Sequence, residues 1–142
     1  MGYIFLVLSI FASASADSLS KNKDLVRSLY EGVFVHHKVK ETAEKYLADN
    51  YIQHNPNVAT GRQPFIDFFV PFFEKNPDAR SAIKRIIAEG NFVMVHVHSQ
   101  LNKGDRGRAV MDIFRIDGEK VAEHWDVAQP IPEKAANSNT MF

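Results

Sequence analysis

Apolar residues recur at three- and four-residue spacing through the first half of the chain and at every second position afterwards, so helices come first and strands follow. Leu25, Val26, Leu29, Tyr30 and Val33 mark one face of a first helix, with Lys23, Arg27, Ser28 and Glu31 on its wet side and Ser20 or Asn22 available as its cap. A break at His36-His37 precedes a shorter helix from about Val39 to Leu47, whose apolar face is Val39, Ala43, Tyr46 and Leu47. Tyr51 to His54 reads as a short extended piece, stopped by Asn55-Pro56-Asn57. Gly61-Arg62 leads into a third helix, with Pro64 suited to its first turn. Phe65, Phe68, Phe69, Phe72 and Phe73 form a broad aromatic stripe along it that calls for burial. Pro71 is expected to kink or split this helix, and Asn76-Pro77 to end it.

From Ala79 the period changes to two. A strand carrying Ile83, Ile86 and Ile87 runs to a turn at Glu89-Gly90-Asn91, and a second spans Phe92 to Leu101, with Val93, Val95 and Val97 on one side and Met94, His96 and His98 on the other. After a polar loop, two more strands, Ala109 to Ile116 and Lys120 to Gln129, flank Asp117-Gly118. Helices followed by a run of antiparallel strands make an α+β domain. A three-residue loop, Asp117-Gly118-Glu119, pairs Ile116 with Lys120, which sets Asp112 opposite His124 and Val110 opposite Asp126. One face of this hairpin then carries Asp112, Phe114, His124 and Asp126, and the other Met111, Ile113, Val121, Trp125 and Val127.

Composition narrows the class. Seventeen basic residues balance seventeen acidic ones, which argues against a nucleic-acid partner. Residues 1–16 read as a signal peptide, with an apolar run from Tyr3 to Phe11 and small residues at Ala14-Ser15-Ala16, leaving a secreted or periplasmic domain over 17–142 that needs no membrane once the leader is removed. The absence of cysteine excludes disulfides and thiolate metal sites.

The hairpin is where chemistry concentrates. Carboxylates are rarely buried unpartnered, so Asp112 and Asp126 beside Phe114 and the phenylalanine stripe predict an apolar pocket with a polar floor. Two carboxylates close together in low dielectric push one of them towards the range of a general base; a structural Asp–His hydrogen bond accounts for the same residues equally well. The apolar Met111/Trp125 face calls for cover, and a homodimer through the sheet supplies it. His96 and His98 form a His-x-His pair, but the further ligand and second half that a cupin needs are missing. A metal site combining them with His124 and an aspartate is sterically conceivable; pocket-wall or satisfied core histidines are the favoured reading.

Tyr51-Ile52-Gln53-His54-Asn55-Pro56, Gly61-Arg62, Asp112-Ile113-Phe114-Arg115-Ile116, Glu123-His124-Trp125-Asp126-Val127 and the closing Asn139-Thr140-Met141-Phe142 together resemble the SnoaL-like polyketide cyclase family of the NTF2-like superfamily. The resemblance covers essentially all of 17–142. It implies an NTF2-like cone, with N-terminal helices packed on a curved, mostly antiparallel sheet. It also implies acid/base chemistry without metal or cofactor: Asp126 removes a proton next to a carbonyl, in an aldol, cyclase or isomerase type of reaction on a small apolar molecule. Asp112 stands where the family's enzymes carry a histidine as second polar residue. His54, Asn55, His98, Phe114 and His124 are the expected substrate contacts. A secreted, non-catalytic small-molecule binding protein on the same fold is the alternative.

Overall fold

In a computed structural model the backbone is described for residues 4–142 and the side chains for residues 16–142. Three helices, α1 (Ile4–Phe34), α2 (Val39–Tyr46) and α3 (Arg62–Lys75), precede or interleave with five strands, β1 (Leu47–Gln53), β2 (Arg80–Glu89), β3 (Phe92–Gln100), β4 (Arg108–Asp117) and β5 (Lys120–Pro130). The strands form one curved sheet in the order β1-β5-β4-β3-β2. Three neighbouring pairs are antiparallel, and β1 joins β5 in parallel, a partner that the extended piece around Tyr51 did not disclose.

Most of the expected leader falls outside the residues whose side chains are described. Neither Ser20 nor Asn22 caps α1, because Asp17 to Asp24 contains no glycine or proline to stop a helix that is already propagating. Asn22 instead donates its side-chain amide to the Gly90 carbonyl at 3.1 Å, tying α1 to the β2–β3 turn. The helix ends at the expected break. His37 adopts a left-handed φ of 56°, and the Lys38 N–H returns to the Gly32 carbonyl at 2.8 Å, closing the last turn. Among the described residues no helix is long and apolar enough to cross a membrane.

α3 is neither split nor ended at Pro71. Pro71 and Asp67 lie on the exposed side, so the Asp67 carbonyl that loses its helical donor there faces water. Phe65 and Phe73 are buried, Phe69 and Phe72 pack partly against the core, and Phe68 stays 40% exposed. The core is the layer between α1 and the sheet: Val26, Leu29, Tyr30 and Val33 meet Val93, Val95 and Val97, and the three β3 valines are fully buried.

The β4–β5 hairpin corrects the expected register. Asp117 pairs with Lys120, so the turn has two residues, Gly118 and Glu119, with Gly118 at φ 59°. Alone, that even-numbered turn would send Asp112 and Asp126 to opposite faces. A β-bulge restores the parity: Ile116 pairs with Val121 and Arg115 with Glu123, leaving Ala122 as the extra residue. Asp112 therefore sits opposite Asp126, and Phe114 opposite His124. The same bulge turns Val121, expected on the outer face, fully into the core.

Gly107 leads into β4 in a conformation that an L side chain resists, at φ +81°, and a Cβ there would collide with the Ser99 carbonyl oxygen. Gly107→Ala is expected to lower unfolding stability by roughly 2 kcal/mol, measured as a fall in urea midpoint with unchanged slope.

Candidate active site

Cross-strand pairing places the Asp112 and Asp126 backbones directly opposite each other on the inner face of the sheet. Like charges in that relation repel, and Asp112 is only 5% exposed, so the pair needs compensation. His124 supplies it from two residues before Asp126, with Nε2 2.9 Å from Asp112 Oδ1. The other ring nitrogen, Nδ1, lies 2.7 Å from Oε1 of Gln53, which the parallel β1–β5 pairing sets beside His124.

The network fixes where the protons are. The Asn55 backbone N–H donates to Gln53 Oε1 at 3.1 Å, and Gln53 Nε2 donates to the Tyr51 hydroxyl at 3.1 Å. Oε1 is thereby an acceptor, and His124 Nδ1 must carry a hydrogen to meet it. One proton remains for the Nε2···Oδ1 contact, whether it rests on the imidazole or on the carboxyl. The His124–Asp112 pair is thus neutral overall, and Asp112 Oδ2 is left as an acceptor. That oxygen is buried and has no hydrogen-bond partner among the described residues. Burial pushes the Asp112 carboxyl up; the His124 hydrogen bond and charge oppose it, Asp126 adds to the rise, and Tyr30 tempers it. Tyr30 does so through its hydroxyl, which lies beside the Asp112 carboxyl and beside Ser81.

Asp126 is only partly buried, and its environment is different. Asn55 Nδ2 donates to both carboxylate oxygens, at 2.9 and 2.7 Å, while Asn55 Oδ1 accepts the Asn57 N–H at 2.8 Å, which fixes the amide the right way round. Above these groups opens a cavity of about 510 Å³, within the range of small-molecule sites. Its walls are rich in aromatic side chains, with Phe65, Phe69 and Phe72 from α3, Tyr30 and Phe34 from α1, and Phe114 from β4. Burial, reinforced by the charge of Asp112, raises the Tyr30 phenol well above its ordinary value, and the Tyr51 phenol is raised for the same reasons. Both hydroxyls therefore stay protonated.

The structure gathers Asp112, Asp126, Asn55, Phe114 and His124 around this cavity. His54 and His98 lie elsewhere. The His54 ring stacks on Trp125 at 4.7 Å and bonds Glu123 Oε1 at 2.8 Å on the outer side of the sheet. Glu123 is held low by His54 and Arg115. His98 follows the alternation of β3: with Val93, Val95 and Val97 inward, it points outward, bonded to the Arg106 carbonyl at 2.8 Å and packed on Phe142. His96 shares that face, so the His-x-His pair cannot join His124 in a metal site. Asp112, His124 and Asp126 each offer an atom, all within 4.8 Å of one another, as the set that could hold a cation. A cation there would compete with the proton on Nε2···Oδ1 and with the Asn55 amide. Sequence reasoning missed Gln53 and Tyr30. The first needed the β1–β5 pairing, and the second read simply as helix core.

A family model described as SnoaL-like domain matches residues 26–124. Among curated protein sequences none matches. The fold is shared with solved structures of low identity. A candidate polyketide cyclase from Acidithiobacillus ferrooxidans aligns with a TM-score of 0.63 at 17% identity, covering 76% of this chain and 87% of that one. A candidate ketosteroid isomerase from Kribbella flavida gives 0.62 at 17%, covering 87% and 89%. An NTF2-like protein of unknown function from Cytophaga hutchinsonii gives 0.62 at 15%, covering 77% and 90%. The expected α+β, NTF2-like fold is the observed one.

A carboxyl whose value is raised by folding costs stability above its ordinary value, and costs it in full once the pH exceeds the folded value. Asp112→Asn removes that cost, and its amide can still donate to His124 Nε2. The melting temperature at neutral pH is expected to rise by a few degrees, on the order of 1 kcal/mol. The gain should vanish as pH falls below the ordinary aspartate value; scanning calorimetry across pH checks both.

Proposed function

We propose that this chain, which belongs to the SnoaL-like domain family, performs general acid/base chemistry on a small carbonyl compound held in the aromatic cavity, of the aldol, cyclase or isomerase type. The observation that carries the reading is the hydrogen bonding of the floor, from which its charge balance follows. Three ionisable groups hold one net negative charge, because His124 and Asp112 share a proton while Asp126 does not take part in that sharing. Asp126 can then stay an anion without facing a second one.

The steps follow from the positions. Asp126, aimed by Asn55 and open to the cavity, takes a proton from the carbon next to the carbonyl, and the electron pair of that C–H bond moves into the enolate. A protonated phenol, Tyr30, lines the same cavity and serves as donor to the oxygen where charge develops. The proton on Asp126 then returns to the product, at carbon for an isomerisation or at the new alkoxide for an aldol closure. The polyketide cyclase and ketosteroid isomerase descriptions of the structural neighbours agree with this reaction class. The apolar run from Tyr3 to Phe11 favours a second reading, a secreted carrier that binds the same molecules and releases them unchanged.

Deuterium exchange next to the carbonyl, followed by NMR over a panel of small cyclic ketones in D2O, separates the two. The enzyme reading expects exchange that Asp126→Asn slows by about 10²- to 10⁴-fold with binding retained. Binding without exchange in the unaltered protein supports the carrier.

We also infer that two copies pair through the outer face, where Ile87, Phe92 and Ile113 are 52, 43 and 39% exposed beside Met94 and Trp125. Light scattering is expected to give twice the monomer mass, and Ile113→Asp to return the monomer.

A further inference from the structure

The inner face of the sheet is polar at two levels. The lower one is the floor, where Asp126 pairs with Asp112. Four residues along β4, Arg108 pairs with Ser99, and Ser99 with Ser81, and all three residues line the cavity; the Ser81 hydroxyl turns to Tyr30, so the second row offers a guanidinium and the Ser99 hydroxyl. Four strand residues separate the levels, roughly 13 Å. Between them lies an apolar row in register, Val110, Val97 and Ile83. The wall thus runs from an anionic floor through an apolar middle to a cationic lip.

Arg108 differs from every other arginine of the chain. Arg27 pairs with Glu31, Arg62 with Asp49 and Arg115 with Glu123. Arg80 bonds Gln100, Arg85 bonds His96, and Arg106 bonds the Ile131 carbonyl. Arg108 alone closes no hydrogen bond or ion pair among the described residues, and it is exposed at the mouth. Asp105 feels its charge, but the two Asp105 oxygens already accept the Leu101 and Gly107 N–H groups.

We infer that the cavity takes an amphipathic carboxylate, whose anionic end is bound by Arg108 with Ser99 at the lip and whose uncharged body reaches the floor. The inference rests on the reading of the cavity as a small-molecule site and adds the class of molecule. A planar guanidinium matches a carboxylate with two parallel hydrogen bonds. One positive charge with one neutral hydroxyl suits a monoanion rather than a dianion. The single negative charge of the floor sets direction: it repels the carboxylate, so the molecule enters with its uncharged end first and presents that end to Asp126.

Octanoate and its uncharged methyl ester, compared by calorimetric or NMR titration at low salt, test this without any turnover. Octanoate is expected to bind about tenfold more tightly than the ester. Arg108→Gln should erase the difference, Arg108→Lys should retain part of it, and Asp126→Asn should preserve or enlarge it. Equal affinities in the unaltered protein, binding of neither probe, or a preference that survives Arg108→Gln overturns the inference. Because binding alone is read, these results stand apart from the deuterium exchange that tests the acid/base reading.

Discussion

One proton between His124 and Asp112 makes the rest of the site possible. Without it two carboxylates would face each other across adjacent strands, one of them almost fully buried, and the low dielectric there would charge several kcal/mol against folding. What fixes the proton is a backbone group two steps away. The Asn55 N–H commits the Gln53 carbonyl oxygen to accepting, that oxygen commits His124 Nδ1 to donating, and only the far ring nitrogen is left to deal with Asp112. The charge of the cavity floor is therefore written into the path of the chain leaving β1 as much as into its acidic residues.

That dependence explains the sheet. β1 is short and its partner β5 is more than sixty residues away, yet the parallel pairing is what delivers Gln53 to His124 and carries Asn55 round to Asp126. The bulge at Ala122 is the other requirement. A two-residue turn is compact but has the wrong parity, and one extra residue in β5 repairs it while burying Val121. Turn and bulge together keep both aspartates on the helix-covered face.

Much of this was legible in the chain. The alternation in β3 and β4 identified the inward residues, the helical spacing identified α1, and the pairing of carboxylates with aromatics predicted a polar-floored apolar cavity. What was not legible depended on distant geometry. A Gly118 in the left-handed region suits a two- or three-residue turn alike, so the sequence allows either register. Pro71 reads as a breaker until its exposed position is known, since only there can water replace the missing donor. Tyr30 carries the same signal as Leu29 or Val33, and nothing local marks its hydroxyl as facing Asp112. His98 is a different matter: the alternation had already put it with Met94 and His96, away from the valines, and it entered the expected site through its chemistry rather than its face.

His54 and Asn55 are consecutive, yet they hold opposite sides of β5. The His54 ring lies flat on Trp125 outside, and the Asn55 amide grips Asp126 inside. The strand is clasped between neighbouring side chains of one short segment, which also bonds His124 through the His54 N–H. The two surfaces of the sheet are consequently anchored by one residue step: the ring that covers Trp125 and the amide that holds the carboxylate hang from adjacent positions of a single backbone segment.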